Sequence, residues 1–312
     1  MKNLTKLFAV VLVLITTQHS KAQNQFHLGQ YMIHQPFINP AAMGTYSKLT
    51  AAMFYRNQWT GFDGAPVTQG INLIHRLPDE KNFIGLTVGH DVIGINKSTE
   101  ISGSYAYKLK SGPKSRLVFG LSASLNLVQS DLNNLNIIDQ TDPIFSANSP
   151  TYALPNFKFG TYYYRPKFYV GFAMPNLLQN QVVATGGGQK GEASFNVDNL
   201  HYYLHSGYNW AYKPKLDFNF STMLKQVSGA PLQIDLNVQA LFNKKYGVGV
   251  SYRTSNELLG ILTWQINQDL KLSYAYEFNM ADIGYYSNGS HEIMLIYQYR
   301  PPVKPVISVP RF

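Results

Sequence analysis

Along residues 231–242 apolar and polar side chains take turns. Leu232, Ile234, Leu236, Val238, Ala240 and Phe242 fall on one side; Gln233, Asp235, Asn237 and Gln239 fall on the other. Successive side chains of a β-strand point to opposite faces, so the segment predicts a ribbon with one oily and one wet surface. It outruns the ~5–6 residues of an ordinary strand and suits the ~9–11 of a tilted membrane-spanning one.

The pattern recurs. Leu117, Phe119, Leu121, Ala123, Leu125 and Leu127 oppose Val118, Gly120, Ser122, Ser124 and Asn126. Leu216, Phe218 and Phe220 oppose Lys215, Asp217, Asn219 and Ser221, and Leu270, Leu272, Tyr274, Tyr276 and Phe278 oppose Lys271, Ser273, Ala275 and Glu277. A walk along the chain predicts fourteen strands, at about 49–59, 67–76, 82–90, 98–108, 115–128, 152–163, 167–174, 200–212, 215–225, 231–242, 246–254, 257–266, 269–279 and 290–299. The connections alternate in length. Tight ones carry turn or basic residues, such as Pro78-Asp79-Glu80-Lys81, Arg165-Pro166, Lys213-Pro214 and Asn243-Lys244-Lys245. The longest, 129–151, 175–199 and 280–289, all fall on the other parity. Short periplasmic turns, longer outer loops and an even strand number are what an outer-membrane barrel requires. Thr254-Ser255-Asn256 breaks the parity, being short where a long loop is expected.

The expected fold is therefore all-β: a transmembrane antiparallel β-barrel of about 14 strands. The N-terminus says which membrane. Lys2 and Lys6 flank an apolar run from Leu7 to Ile15, followed by Ser20-Lys21-Ala22. That is a secretory signal peptide, residues 1–22, too short for a ~20-residue spanning helix. Composition agrees, with Tyr 22, Phe 18 and only 14% charged residues against roughly 25% in soluble domains. Aromatics such as Tyr162-Tyr163-Tyr164, Phe168-Tyr169, Trp210 and Tyr212 gather beside the turns, where an interfacial girdle would lie. The net charge of +9 includes the leader's three lysines and has no block of Lys/Arg behind it, which argues against nucleic acid as a partner. With Cys 0, disulfides and thiolate metal sites are excluded.

If the oily face meets lipid, Arg56, Gln58, Asp217, Asp235, Arg253, Glu277 and Glu292 must face the lumen, since an Arg at the lipid midplane costs about 2–4 kcal/mol. Their mixed signs predict an ion-paired lumen network of Asp217, Asp235, Arg253, Glu277 and Glu292. Where the first strand meets its outer loop, Arg56, Asn57, Gln58, Trp59 and Asp63 are expected to shape the mouth and a client-binding site. No catalytic, cofactor or metal set emerges. The histidines carry no Ser-containing elbow, and His201 and His205 on one strand face lie roughly 13 Å apart, too far to share a metal. The chain is read as no enzyme and as needing no cofactor.

Two segments stand outside the wall: residues 23–48, a periplasmic or plug segment before the barrel at 49–299, and the Pro-rich tail 300–312, stiff and unable to join a ladder. Loop 175–199 carries Gly186-Gly187-Gly188, a hinge or a passive spacer. With fourteen strands both termini would be periplasmic.

Gln30-Tyr31-Met32, Ile38-Asn39-Pro40-Ala41 through Gly44, Tyr55-Arg56-Asn57-Gln58-Trp59, Asp63-Gly64-Ala65-Pro66 with Thr68-Gln69, Gly85-Leu86, Asp91, Ile93-Gly94 and Gly289-Ser290-His291-Glu292-Ile293 resemble the signature of the PorP/SprF family. The resemblance spans essentially the whole mature chain; the tail after Tyr299 departs from it. It implies an outer-membrane component of the type IX secretion system and gliding motility, which exports a secreted surface adhesin or anchors it through its C-terminal domain. The partners it implies are outer-membrane lipid and that client. Residues 300–312 are the candidate contact for periplasmic secretion components. The alternative is an outer-membrane channel for a small or hydrophobic solute.

Overall fold

The computed structural model describes residues 28–46, 48–132, 149–185, 188–196, 200–227 and 230–299. The leader, the tail 300–312, Gly186-Gly187 and most of loop 129–151 lie outside the described residues. Fourteen strands close into one antiparallel barrel. They are β1 (Leu49–Asn57), β2 (Val67–Arg76), β3 (Asn82–Ile93), β4 (Asn96–Lys110), β5 (Arg116–Ser130), β6 (Tyr152–Arg165), β7 (Phe168–Met174), β10 (His201–Lys213), β11 (Leu216–Val227), β12 (Gln233–Phe242), β13 (Tyr246–Arg253), β14 (Glu257–Gln265), β15 (Leu270–Asn279) and β16 (Ser290–Tyr299). β1 closes the ring against β16, Leu49 opposite Tyr299, so the first strand begins and the last strand ends at one rim, the terminal end. Closure removes every sheet edge, which a strand wall in lipid must do.

The burial pattern is inverted relative to a soluble protein. Leu121 is 58% exposed and Leu236 and Val238 53% and 46%, while Ser122, Asp235 and Asn237 are buried. Apolar side chains turned outward over polar ones turned inward make sense only with lipid as the outer solvent. Among the described residues no helix is long and apolar enough to cross a membrane; the strands do the crossing.

Two local departures from the sequence expectation have physical causes. β3 and β4 run on past the predicted ends at 90 and 98, and Ile93 pairs with Asn96 across Gly94-Ile95. Gly94 takes φ +57, so a tight turn closes where a longer loop was expected. Within 175–199 the chain forms a hairpin of its own, β8 (Gln179–Thr185) and β9 (Gly188–Ser194), with Thr185 paired to Gly188. It lies on the inner face of β6, where Gly191 approaches Leu154. Asn156 anchors its root, its side-chain oxygen accepting from the amides of Leu177 and Leu178, both at 3.1 Å. At the terminal end the turns are pinned individually. Asp79 accepts from the amides of Asn82 and Lys81, and the Asn82 amide above all holds its carboxyl below the usual range.

Candidate functional site

Residues 28–46 lie inside the lumen. They make two short 3-10 turns, Gln35–Phe37 and Pro40–Thr45, each opened by a proline whose missing N–H costs nothing there. Asn39 caps the second, its side chain accepting from the Ala41 amide at 2.9 Å. The Asn39 amide nitrogen then reaches the carbonyls of Thr161 and Phe172 at 3.1 and 3.2 Å and His205 Nε2 at 3.0 Å. The wall is thinned to receive this turn: a Cβ on Gly120 would lie 2.3 Å from Ala41 N, and one on Gly160 2.0 Å from Asn39 Oδ1. Met43 covers Gly85 in the same way. Further along the segment, Tyr162 donates to Gln35, His34 meets Asn72 at 2.8 Å, and the Asn237 amide donates to the Tyr31 hydroxyl.

The other end of the segment meets a buried ion cluster. Glu292 accepts from the amides of Gly29 and Gln30, at 2.7 and 3.0 Å, through its two oxygens. The Gln30 side chain bonds the Glu292 carbonyl and accepts from Ser273. Arg56 bridges Glu292 (3.2 Å) and Glu277 (2.8 Å). Arg253 pairs with Asp235 (3.1 Å) and Glu257 and comes within 3.7 Å of Glu277, while Lys225 stands 3.8 Å from Asp235. All but Lys225 are buried. A buried arginine is tolerated only when several acceptors replace its water, and each of these has at least two carboxylates. The cluster is thus a single network across β1, β11–β16 and the luminal segment.

Of the residues expected in that network, the structure gathers Asp235, Arg253, Glu277 and Glu292 and leaves Asp217 apart. Asp217 lies opposite Ala211 and Leu241, beside the turn at 214–215 and toward the other rim from Asp235. The same alternation that turns it inward says nothing of depth, which the register sets. Arg56, expected at the mouth, belongs instead to the network, because its position on β1 faces Glu292 across the seam with β16. Glu257 and Lys225 were missed by the sequence reading. For Glu257 the signal existed: Arg253 and Glu257 bracket a three-residue turn and are register partners.

The remaining mouth residues sit above the cluster. Asn57 ends β1 opposite His291. Gln58 is buried, its amide bonded to the Pro66 carbonyl. Trp59 takes φ 47 and donates its amide to Ser290 Oγ at 3.3 Å. Thr60 and Asn288 exchange backbone bonds with the neighbouring loop (Thr60 N to the Gly289 carbonyl, Asn288 N to the Thr60 carbonyl), tying 58–66 to 280–289. Asp63 is exposed and joins none of this. Among the described residues no group of His, Asp or Glu is arranged to hold a metal.

Several of the quoted signature residues therefore converge in the lumen: Gln30 on Glu292 and Ser273, Tyr31 on Asn237, 39–44 on the glycine floor, and Arg56 and Glu292 on each other. The model of the family described as type IX secretion system membrane protein PorP/SprF matches residues 20–297. No curated protein matches the chain. Among solved structures, the Ralstonia pickettii toluene transporter TbuX superposes with TM-score 0.50 at 10% identity, covering 89% of this chain and 95% of that one. Omp33 of Acinetobacter baumannii gives TM-score 0.46 at 9% identity (82% and 100% covered), and a Pseudomonas aeruginosa FadL homologue 0.45 at 10% (84% and 93%). The TbuX likeness establishes the outer-membrane barrel fold alone. By its match over nearly the whole length, the chain belongs to the PorP/SprF family of type IX secretion system membrane proteins.

Proposed function

We propose that this barrel is a closed, non-enzymatic client holder: it binds a secreted surface protein, such as an adhesin, through that protein's C-terminal domain, and helps export it or anchors it at the cell surface. The terminal end then faces the periplasm and the loop end faces out, and residues 300–312 contact periplasmic secretion or motility components. The observation that carries this reading is the internal segment. Residues 28–46 are hydrogen-bonded to seven wall strands, β2, β6, β7, β10, β12, β15 and β16, so the lumen is built around its own chain. A wall stiffened from within supports a rigid loop platform, 58–66 tied to 280–289, on which a client domain can rest.

The test is to purify the protein gently from its own envelope and identify what stays bound, then repeat with Trp59→Ala and Asp63→Ala. Loss of a secreted protein from the complex, with its appearance in the medium, is the expected result. Unchanged secretion and retention in variants that still assemble would remove these residues from the site. In planar bilayers the wild type should show no steady conductance. Stable open currents, or saturable uptake of a solute, would favour the alternative of a small-molecule or hydrophobic-solute channel.

A further inference from the structure

Three consecutive turns of the terminal rim carry Arg165 and Lys167, Lys213 and Lys215, and Lys244 and Lys245, all exposed. They are neighbours in space, since β6, β7, β10, β11, β12 and β13 follow one another around the ring. Backbone bonds lock them to adjacent strands: Asn209 N to the Lys167 carbonyl, Asn243 N to the Lys215 carbonyl and Gln265 N to the Lys245 carbonyl, at 2.8, 2.8 and 2.7 Å. Among the described residues none of the six enters an ion pair, although arginines and lysines elsewhere do. Asp217, the acid nearest in sequence, turns inward by alternation with Ser221 and Met223. Six like charges fixed side by side repel one another and lower the cost of holding an anion.

The cations also sit at a defined depth. Arg165 stacks over Tyr163 (5.8 Å), Lys213 over Tyr212 (5.2 Å) and Lys245 over Tyr246 (5.4 Å). Tyr212 and Tyr246 are 49% exposed on the lipid side, beside Trp210 and Trp264. Amphipathic rings of this kind mark the level of the headgroups. An ammonium resting on such a ring stands where a lipid phosphate stands, not out in the aqueous phase.

We propose that this collar binds anionic phospholipid of the leaflet adjoining the terminal end, the phosphates being shared among the six cations. The full-length protein in nonionic detergent would be offered phosphatidylglycerol, phosphatidylcholine or lipid A, and the retained lipid counted by native mass spectrometry. Phosphatidylglycerol should be retained about tenfold over phosphatidylcholine, and added salt should erode the preference. The Lys213→Gln/Lys215→Gln/Lys244→Gln/Lys245→Gln variant should bring the two lipids near parity. The all-arginine counterpart at the same four positions, and Lys97→Gln near the opposite rim, should keep the preference, which separates charge from folding. Equal retention of the two phospholipids, or a preference that survives neutralisation, overturns the proposal. So does stronger retention of lipid A, or salt-sensitive binding of poly-L-glutamate with no retained lipid, which would reassign the patch to an acidic protein.

Discussion

Arg56 illustrates how one side chain joins the wall to its contents. Its guanidinium holds Glu277 of β15 and Glu292 of β16, and Glu292 in turn accepts from the amides of Gly29 and Gln30. Removing one partner of a buried ion pair strands the other charge without water, which costs about 3–5 kcal/mol. Arg56→Met should therefore lower the temperature at which the folded barrel loses its compact gel migration, and by more than Glu292→Gln, whose side-chain oxygen can still accept one of the two amides. The two changes share an interaction, so the double variant should be less damaged than the sum of the singles by about 0.5–3 kcal/mol. Strict additivity would mean that the bond seen between them contributes nothing.

At the scale of elements, two kinds of surface meet and only one was legible in advance. The fourteen strands could be read because each must keep a continuous apolar stripe toward lipid, and that requirement writes a period of two into the chain. β8 and β9 escaped notice: QNQVVAT and GQKGEAS stand outside the barrel ring and lie against β6, so no lipid-facing alternation was imposed on them. The luminal segment leaves an equally faint trace. Its partners lie far off in sequence, as Asn39 to His205 and Gln30 to Ser273, and they recognise it through amides and missing Cβ atoms. The glycines make this testable. Gly160→Ala and Gly120→Ala put a methyl group where the Pro40–Thr45 turn sits, whereas around Gly103 there is nothing within 4 Å. Because the natural chain has no cysteine, Met43→Cys supplies a single buried thiol. Its maleimide labelling should speed up by about tenfold or more in the Gly160→Ala background, which corresponds to ~1.4 kcal/mol of lost docking, and stay unchanged with Gly103→Ala. Equal labelling in both would show that the turn does not depend on the glycine floor.

The whole molecule is polar along its axis, and the proposed orientation in the membrane rests on that polarity. Among the described residues, the terminal rim carries the start of β1 and the end of β16, tight turns, and the unpaired cations of three successive connections. At the other rim lie the β8–β9 hairpin, the joined loops 58–66 and 280–289, and aromatic side chains held clear of the barrel, Tyr285 at 87% and Tyr286 at 73% exposed. Bacterial barrels of even strand number place short turns in the periplasm and long loops outside. Here the rule cannot be applied by counting residues alone, since Gly94-Ile95 and Thr254-Ser255-Asn256 are tight connections on the loop rim. Charge and aromatic exposure fit the same proposed orientation: protruding side chains suit a client surface, and a cationic collar suits anionic headgroups. A membrane-impermeant maleimide should therefore label Tyr285→Cys on intact cells and label Lys244→Cys only after the outer membrane is permeabilised. The opposite pattern would invert the barrel, and with it the proposed client would have to be held from the periplasmic side. Labelling of both on intact cells would mean that the lumen passes the reagent, which the bonded segment at residues 28–46 should prevent.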